Sequence, residues 1–237
     1  MLNKKDFIGM GIMKYDKRIN IVCGHYGSGK TEFSINLALK LAKEYKTILV
    51  DLDVVNVAFR SRELDKYLSK RDIELVSTLY NIEATDIPAV SPKVKKPLDD
   101  ESYCGIYDLG GDLAGSRSFM SVAHYVDKNN YDLYFICNAN RIETSTSKKA
   151  LDLYKSIENA VGLKITKIVN NTHLISETTY HDVENGNRVA LELSEKVGIP
   201  LKYVSGTKTI LDQVHIPNGA EKFEIELLMR KNWMNIR

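Results

Sequence analysis

The chain has 237 residues, 43% apolar and 27% charged, enough to bury one sizeable core and too few to call for two domains. A net charge of +2 with both signs interspersed gives no electrostatic footprint for nucleic acid or for an anionic membrane. No apolar run approaches the roughly 20 residues of a membrane span, the first residues lack a signal-peptide core, and Cys23, Cys104 and Cys137 stand in no metal-ligand spacing, so they read as buried thiols of a reducing, cytoplasmic compartment.

Residues 1–18 are polar and read as a flexible N-terminal tail, with the folded domain expected over 19–237. Short β-branched runs at 19–23, 47–51, 74–77, 103–108, 133–137, 165–170 and 201–204 predict strands. Helical periodicity separates most of them. Phe33, Leu37 and Leu41 recur every four residues, and further helices are expected near 61–69, 116–126, 145–160 and 178–197. This alternation predicts an α/β fold: one domain with a mostly parallel sheet flanked by helices on both faces.

Two stretches depart from the pattern. Residues 81–102 hold Pro88, Pro92 and Pro97 with Lys93, Lys95 and Lys96 and have little periodicity, so they predict a long loop, either a solvated excursion or a lid or docking segment. The tail 221–233 mixes Phe223, Ile225, Leu227, Leu228 and Trp233 with Glu221, Glu224 and Glu226. It reads as a helix docked on the surface, since a membrane-binding helix needs a basic polar face.

Between the first strand and the first helix lies Gly24-His25-Tyr26-Gly27-Ser28-Gly29-Lys30-Thr31. The glycines allow the backbone to wrap an anion, the helix N-terminus supplies oriented amides, Lys30 supplies a mobile charge and Thr31 a hydroxyl for Mg²⁺. Together they form a phosphate-binding loop in the strand–turn–helix setting that the motif requires, which points to a nucleotide triphosphate with Mg²⁺. Such a site needs carboxylates at strand ends. Asp108 is assigned to the metal shell and Asp53 to the attacking water, with Asp51 a competitor for either role, while Gly111 in Asp108-Leu109-Gly110-Gly111 lets a backbone amide approach the outer phosphate.

Similarity to other P-loop proteins, which read the base at this strand end, implies that Asn170 and Asn171 meet it here, and His173 stands where their guanine-reading carboxylate is usual, which favours adenine and hence ATP. Arg60 and Arg62 precede a helix and suit a catalytic finger, a substrate clamp or a dimer contact. Asn138 and Arg141 follow a strand at the same carboxyl edge of the sheet and are secondary candidates.

At these residues the sequence resembles the MinD/ParA/ArsA group of P-loop ATPases, within the larger (SIMIBI) class that holds dethiobiotin synthetase and the cobyrinate amidases. GHYGSGKTE, DLDVVNVAFRSRE and DLGGDLAG are also similar to a set of bacterial ATP-binding proteins familiar from clostridia. The resemblance implies a parallel sheet in which the first strand neighbours the one ending at Asp108. It further implies an ATP-sandwiched homodimer, while the chemistry of the loop and strand ends already gives ATP and Mg²⁺ as cofactors and Lys30 and Asp53 as catalytic candidates. That dimer relies on a signature lysine after the first loop glycine, and here the position is His25, which is shorter and not a permanent charge. Three functions follow: an ATPase switch read by a protein partner or a second copy, an ATP-dependent small-molecule kinase or ligase, and a nucleotide-binding module without turnover.

Overall fold

The computed structural model describes residues 17–53, 62–77, 92–111 and 119–229. Most of the expected tail (1–16), Arg60, the 81–91 part of the expected loop, residues 116–118 of an expected helix and the end of the C-terminal tail (230–237) lie outside the described residues.

In chain order the elements are β1 (Ile19–Gly24), α1 (Lys30–Leu41), β2 (Lys46–Asp51), α2 (Arg62–Ser69), β3 (Ile73–Ser77), α3 (Pro92–Asp99), β4 (Tyr103–Asp108) and α4 (Met120–Ala123). There follow β5 (Tyr131–Cys137), α5 (Ser147–Val161), β6 (Lys167–Asn170), α6 (Tyr180–Val197), β7 (Leu201–Gly206), α7 (Lys208–Leu211) and β8 (Glu221–Glu224). The eight strands form one sheet in the order β3-β2-β4-β1-β5-β6-β7-β8, and every neighbouring pair is parallel. β1 therefore sits between the strand that ends at Asp108 and β5, where the strand order reverses and the crevice at the strand carboxyl ends is available to a ligand.

Both faces of the sheet are covered, which is why the strands read as nearly unbroken apolar runs. Alternate residues of one strand enter different cores: Ile21 and Cys23 join Leu133, Phe135, Ile168 and the α5 and α6 side chains, whereas Val22 joins Phe33, Leu37 and Leu41 of α1. Helix ends match their sequence signals. Thr179 and Asp182 form a reciprocal capping box at the start of α6, and Gly198 closes that helix in the left-handed conformation. The three cysteines are free and buried, and burial pushes the Cys104 and Cys137 thiols up to about 12.

Two expectations are corrected. The segment expected as loop over 81–102 contains helix α3. Pro92 opens it, where a missing N–H costs nothing, Val94 and Pro97 are buried, and the Tyr107 hydroxyl donates to the Val94 carbonyl (2.9 Å). One turn of apolar spacing is too short a signal to register. The tail expected as a helix begins instead as β8, with Phe223 packed on Phe33 (ring centroids 4.6 Å apart) and Tyr203. Its apolar residues 223, 225 and 227 recur with the period of a strand, not of a helix.

Candidate functional site

The loop after β1 is shaped by close contacts. Gly24 has φ 149° and a Cβ there would lie 2.6 Å from the Ile136 carbonyl oxygen, so β5 seals the base of the loop. Gly29, at φ 84°, is the N-cap of α1, and a Cβ on it would come within 2.4 Å of Asn171 Nδ2. Only glycine meets both demands. Lys30 is 6% exposed and arches back over the loop, its Nζ donating to the His25 carbonyl (3.1 Å). Gly111 lies against this arch, since a Cβ there would sit 2.9 Å from Lys30 Nζ and 2.7 Å from Tyr26 Cα. The loop, its lysine and the turn after β4 are thus one cluster.

Asp108 ends β4 directly below this cluster and is 2% exposed. Its Oδ1 accepts from Ser34 (3.1 Å), while the buried Oδ2 has no hydrogen-bond partner. Burial, and then the charge of Asp51, raise its carboxyl to about 7, against the opposing pull of Lys30 and of the Thr31 and Ser34 hydroxyls. A buried carboxylate oxygen without a partner is unusual and fits a cation that arrives with the ligand. Among the described residues no group of three or more His, Cys, Asp or Glu is arranged to hold a metal alone. Mg²⁺ in nucleotide sites takes most of its oxygens from phosphate and water, so Thr31 and Asp108 are a sufficient protein share.

Asp51 is the register partner of Asp108 across β2 and β4, and its Oδ1 accepts from the Asp53 amide (2.9 Å). That turn carries Asp53 into the wall of the cavity beside Lys30 and Thr31. Arg62 opens α2, and Arg60 lies outside the described residues. Arg141 comes to the loop: its Nε donates to the Gly27 carbonyl (3.0 Å), and its guanidinium lines the cavity. The turn that carries it is tied down by the Thr144 hydroxyl and the Arg141 amide, both donating to the Asn138 carbonyl (2.6 and 2.9 Å). The same turn places Glu143 Oε2 3.3 Å from His25 Nδ1, a nitrogen also 3.0 Å from the Tyr26 carbonyl. His25 is therefore held against its own loop.

The two asparagines at the end of β6 separate. Asn170 is fully buried, its amide donating to the Val183 carbonyl and to Asn187 Oδ1, its oxygen accepting from the Thr172 amide and hydroxyl. Every hydrogen-bonding position is used inside the chain, so the expectation that Asn170 meets the base is corrected. Asn171 lines the cavity, bracing the loop by donating to the Ser28 carbonyl (2.7 Å) and accepting from Ser205 (2.7 Å). His173 lines the cavity two residues on.

The cavity has a volume of about 320 Å³ and runs from the loop across the carboxyl ends of β6, β7 and β8. Its far end is walled by Ile175, Ile210, Ile225, Leu227 and Met229, none of which the sequence marked as a site residue, Ile225 and Leu227 being read only as part of the C-terminal tail. The signal present was Ser205-Gly206-Thr207 at the end of a strand, one more carboxyl-edge turn beside those already read as site loops. An amide-lined loop with a lysine, strand-end carboxylates and an apolar recess is suited to a nucleotide whose phosphates enter at Lys30 and whose base enters at His173.

Similar folds occur among solved structures. The cell division protein FtsY of Thermotoga maritima has 20% identity and a TM-score of 0.57, over 85% of this chain and 65% of its own. Chloroplast FtsY of Physcomitrella patens has 16% identity and a TM-score of 0.56, over 84% and 61%. The signal recognition particle receptor FtsY of Elizabethkingia anophelis has 17% identity and a TM-score of 0.52, over 85% and 61%. The chain thus spans less than two thirds of the length of these proteins, and at such identity the likeness concerns the fold alone. No curated protein sequence matches the chain. The profile of the CobQ/CobB/MinD/ParA nucleotide binding domain covers residues 19–207, from the start of β1 through the turn after β7, and the chain belongs to that family.

Proposed function

We propose that the protein binds ATP with Mg²⁺ and hydrolyses it slowly, acting as a nucleotide-dependent switch in the cytoplasm. The observation that carries this is Lys30, Thr31 and Asp53 in the wall of one cavity, with the unpartnered oxygen of Asp108 buried close enough to Lys30 and Thr31 to feel both. In this reading the loop amides and Lys30 hold the phosphates, and Thr31 and Asp108 hold Mg²⁺, which supplies charge neutralisation when bound. Asp51 braces the turn of Asp53, which orients the attacking water. Gly111 presents its backbone to the outer phosphate, and Asn171 and His173 border the base. Adenine is preferred because His173 cannot accept from the two ring-edge donors of guanine as a carboxylate does.

The switch is read by a protein partner or by a second copy of the chain, through the segment of Arg60 and Arg62. Measurement of phosphate release with ATP and GTP, across a range of protein concentrations, tests this proposal. Slow turnover that prefers ATP supports it, and fast turnover independent of concentration overturns it. A second reading, an ATP-dependent kinase or ligase, is favoured by Arg141, a guanidinium in the cavity wall able to hold an anionic substrate. Turnover that depends on a carboxylate or phosphate metabolite, with a modified product, would select that reading.

A further inference from the structure

The chain after β8 does not leave the domain; it runs back along the nucleotide-loop helix. Asn36 of α1 acts as a strand neighbour to it, its Nδ2 donating to the Glu226 carbonyl (3.0 Å) and its Oδ1 accepting from the Glu226 amide (2.9 Å). One turn earlier, directly after Thr31, Glu32 accepts from the Leu228 amide (2.5 Å) and the Met229 amide (3.3 Å). A carboxylate in the first turn of a phosphate-binding helix suits the helix dipole and opposes a triphosphate. Here that charge is committed to two backbone amides nearly two hundred residues away in sequence.

The docked segment presents alternate side chains, Ile225, Leu227 and Met229, to the cavity. Leu227 is 43% exposed, an apolar surface at the cavity rim. Ile175, from the turn after β6, faces the same recess with φ 65°, a conformation that β-branched residues rarely adopt, held by the Thr178 hydroxyl donating to its carbonyl (2.7 Å). Ile175, Ile210, Ile225, Leu227 and Met229 make this end of the cavity apolar, and the Glu32 carboxylate that also lines it is engaged by the Leu228 and Met229 amides.

We infer that residues 225–229 form a base-reading wall, with Leu227 and Met229 closing on the purine ring of a bound nucleotide and Glu32 and Asn36 serving as positioning residues that set the wall on the phosphate-loop helix. The inference rests on the reading of the cavity as an adenine-nucleotide site and goes beyond it, because it assigns recognition of the base to the C-terminal segment. The wall contacts ring and not phosphate. It therefore contributes to binding of ATP and ADP alike and contributes nothing to binding of inorganic tripolyphosphate.

Calorimetry with Mg-ATP, Mg-ADP and Mg-tripolyphosphate on the wild type and on a Leu227→Ser, Met229→Ser double variant separates the possibilities. The expected result is a loss of about tenfold or more for both nucleotides, with tripolyphosphate affinity within about twofold of wild type. Asn36→Ala should reproduce the same split in weaker form. Equal losses for nucleotide and tripolyphosphate, or no loss for either, overturn the wall. Absence of binding of every ligand by the folded wild type removes the nucleotide reading and the inference with it. Hydrogen exchange on the wild type needs no variant: ATP should protect the Leu228 and Met229 amides more than tripolyphosphate does, and equal protection by the two speaks against the wall.

Discussion

Asp51 and Asp108 stand side by side as register partners at the carboxyl ends of β2 and β4, and the Asp51 charge adds to burial in raising the Asp108 carboxyl to about 7. The ligand-free fold therefore prefers Asp108 protonated. A raised carboxyl contributes stability that is complete below its ordinary value of 3.8 and is lost as pH rises through about 7. Asp108→Asn should consequently be more stable than the wild type by about 1–3 kcal/mol at pH 8, with the difference shrinking steadily as pH falls below about 7 and gone by the carboxyl's ordinary value of 3.8. Urea denaturation across that range checks the sign, and a pH-independent difference would count against it.

The same substitution should cost function. With Mg²⁺ present, Asp108→Asn is expected to lose the metal-dependent part of its ATP affinity, while Asp53→Asn keeps affinity and loses turnover at least tenfold. Titrations with and without Mg²⁺, together with single-turnover phosphate release, separate the two, and the opposite pattern would exchange their roles.

Lys30 lies over the loop that it serves, so its removal takes away a charge-assisted contact. Lys30→Ala should weaken Mg-ATP binding at least tenfold, about 1.4 kcal/mol. Base preference is tested beside it, with GTP binding more weakly than ATP in the wild type and His173→Asp narrowing the gap. Unchanged affinity on loss of the lysine would remove the phosphate-loop reading.

His25 is paired with Glu143 and turned along its own loop, unlike a lysine extended toward a partner. Basal turnover should be low, because an added cation at a transferring phosphoryl group can be worth about 10³ to 10⁵ in rate. His25→Lys is expected to raise turnover in a manner that grows with protein concentration if two chains meet face to face. A rise that ignores concentration would argue for a charge acting within one chain.

Much of the architecture was legible in the sequence, because strands buried on both faces and helices with one apolar face leave periodic traces. The loop 24–31 and the strand ends at Asp51 and Asp108 could be placed from local pattern alone. Asn170 could not be judged that way: whether its amide is available depends on the Val183 carbonyl and Asn187, which reach it only in three dimensions. The wall at 225–229 was hidden for a related reason. Alternation over 223, 225 and 227 was present, but mixed charges and adjacent Leu227 and Leu228 imitated a helix, and no local signal says that a distant Glu32 will hold the segment.

The pairing of Glu32 with Leu228 also bears on how the protein comes into being. These residues are separated by 196 positions, and β8 joins the sheet through β7 alone. Contacts of such separation carry a large loop-closure cost and form late. During synthesis the phosphate loop, β4 and the central strands can assemble before residues 225–229 have left the ribosome. On the proposed reading a nascent chain would grip phosphate before it could grip a base, so high-affinity nucleotide binding would mark the docking of β8, and a bound nucleotide would in turn fasten residues 225–229 to the helix that follows the phosphate loop.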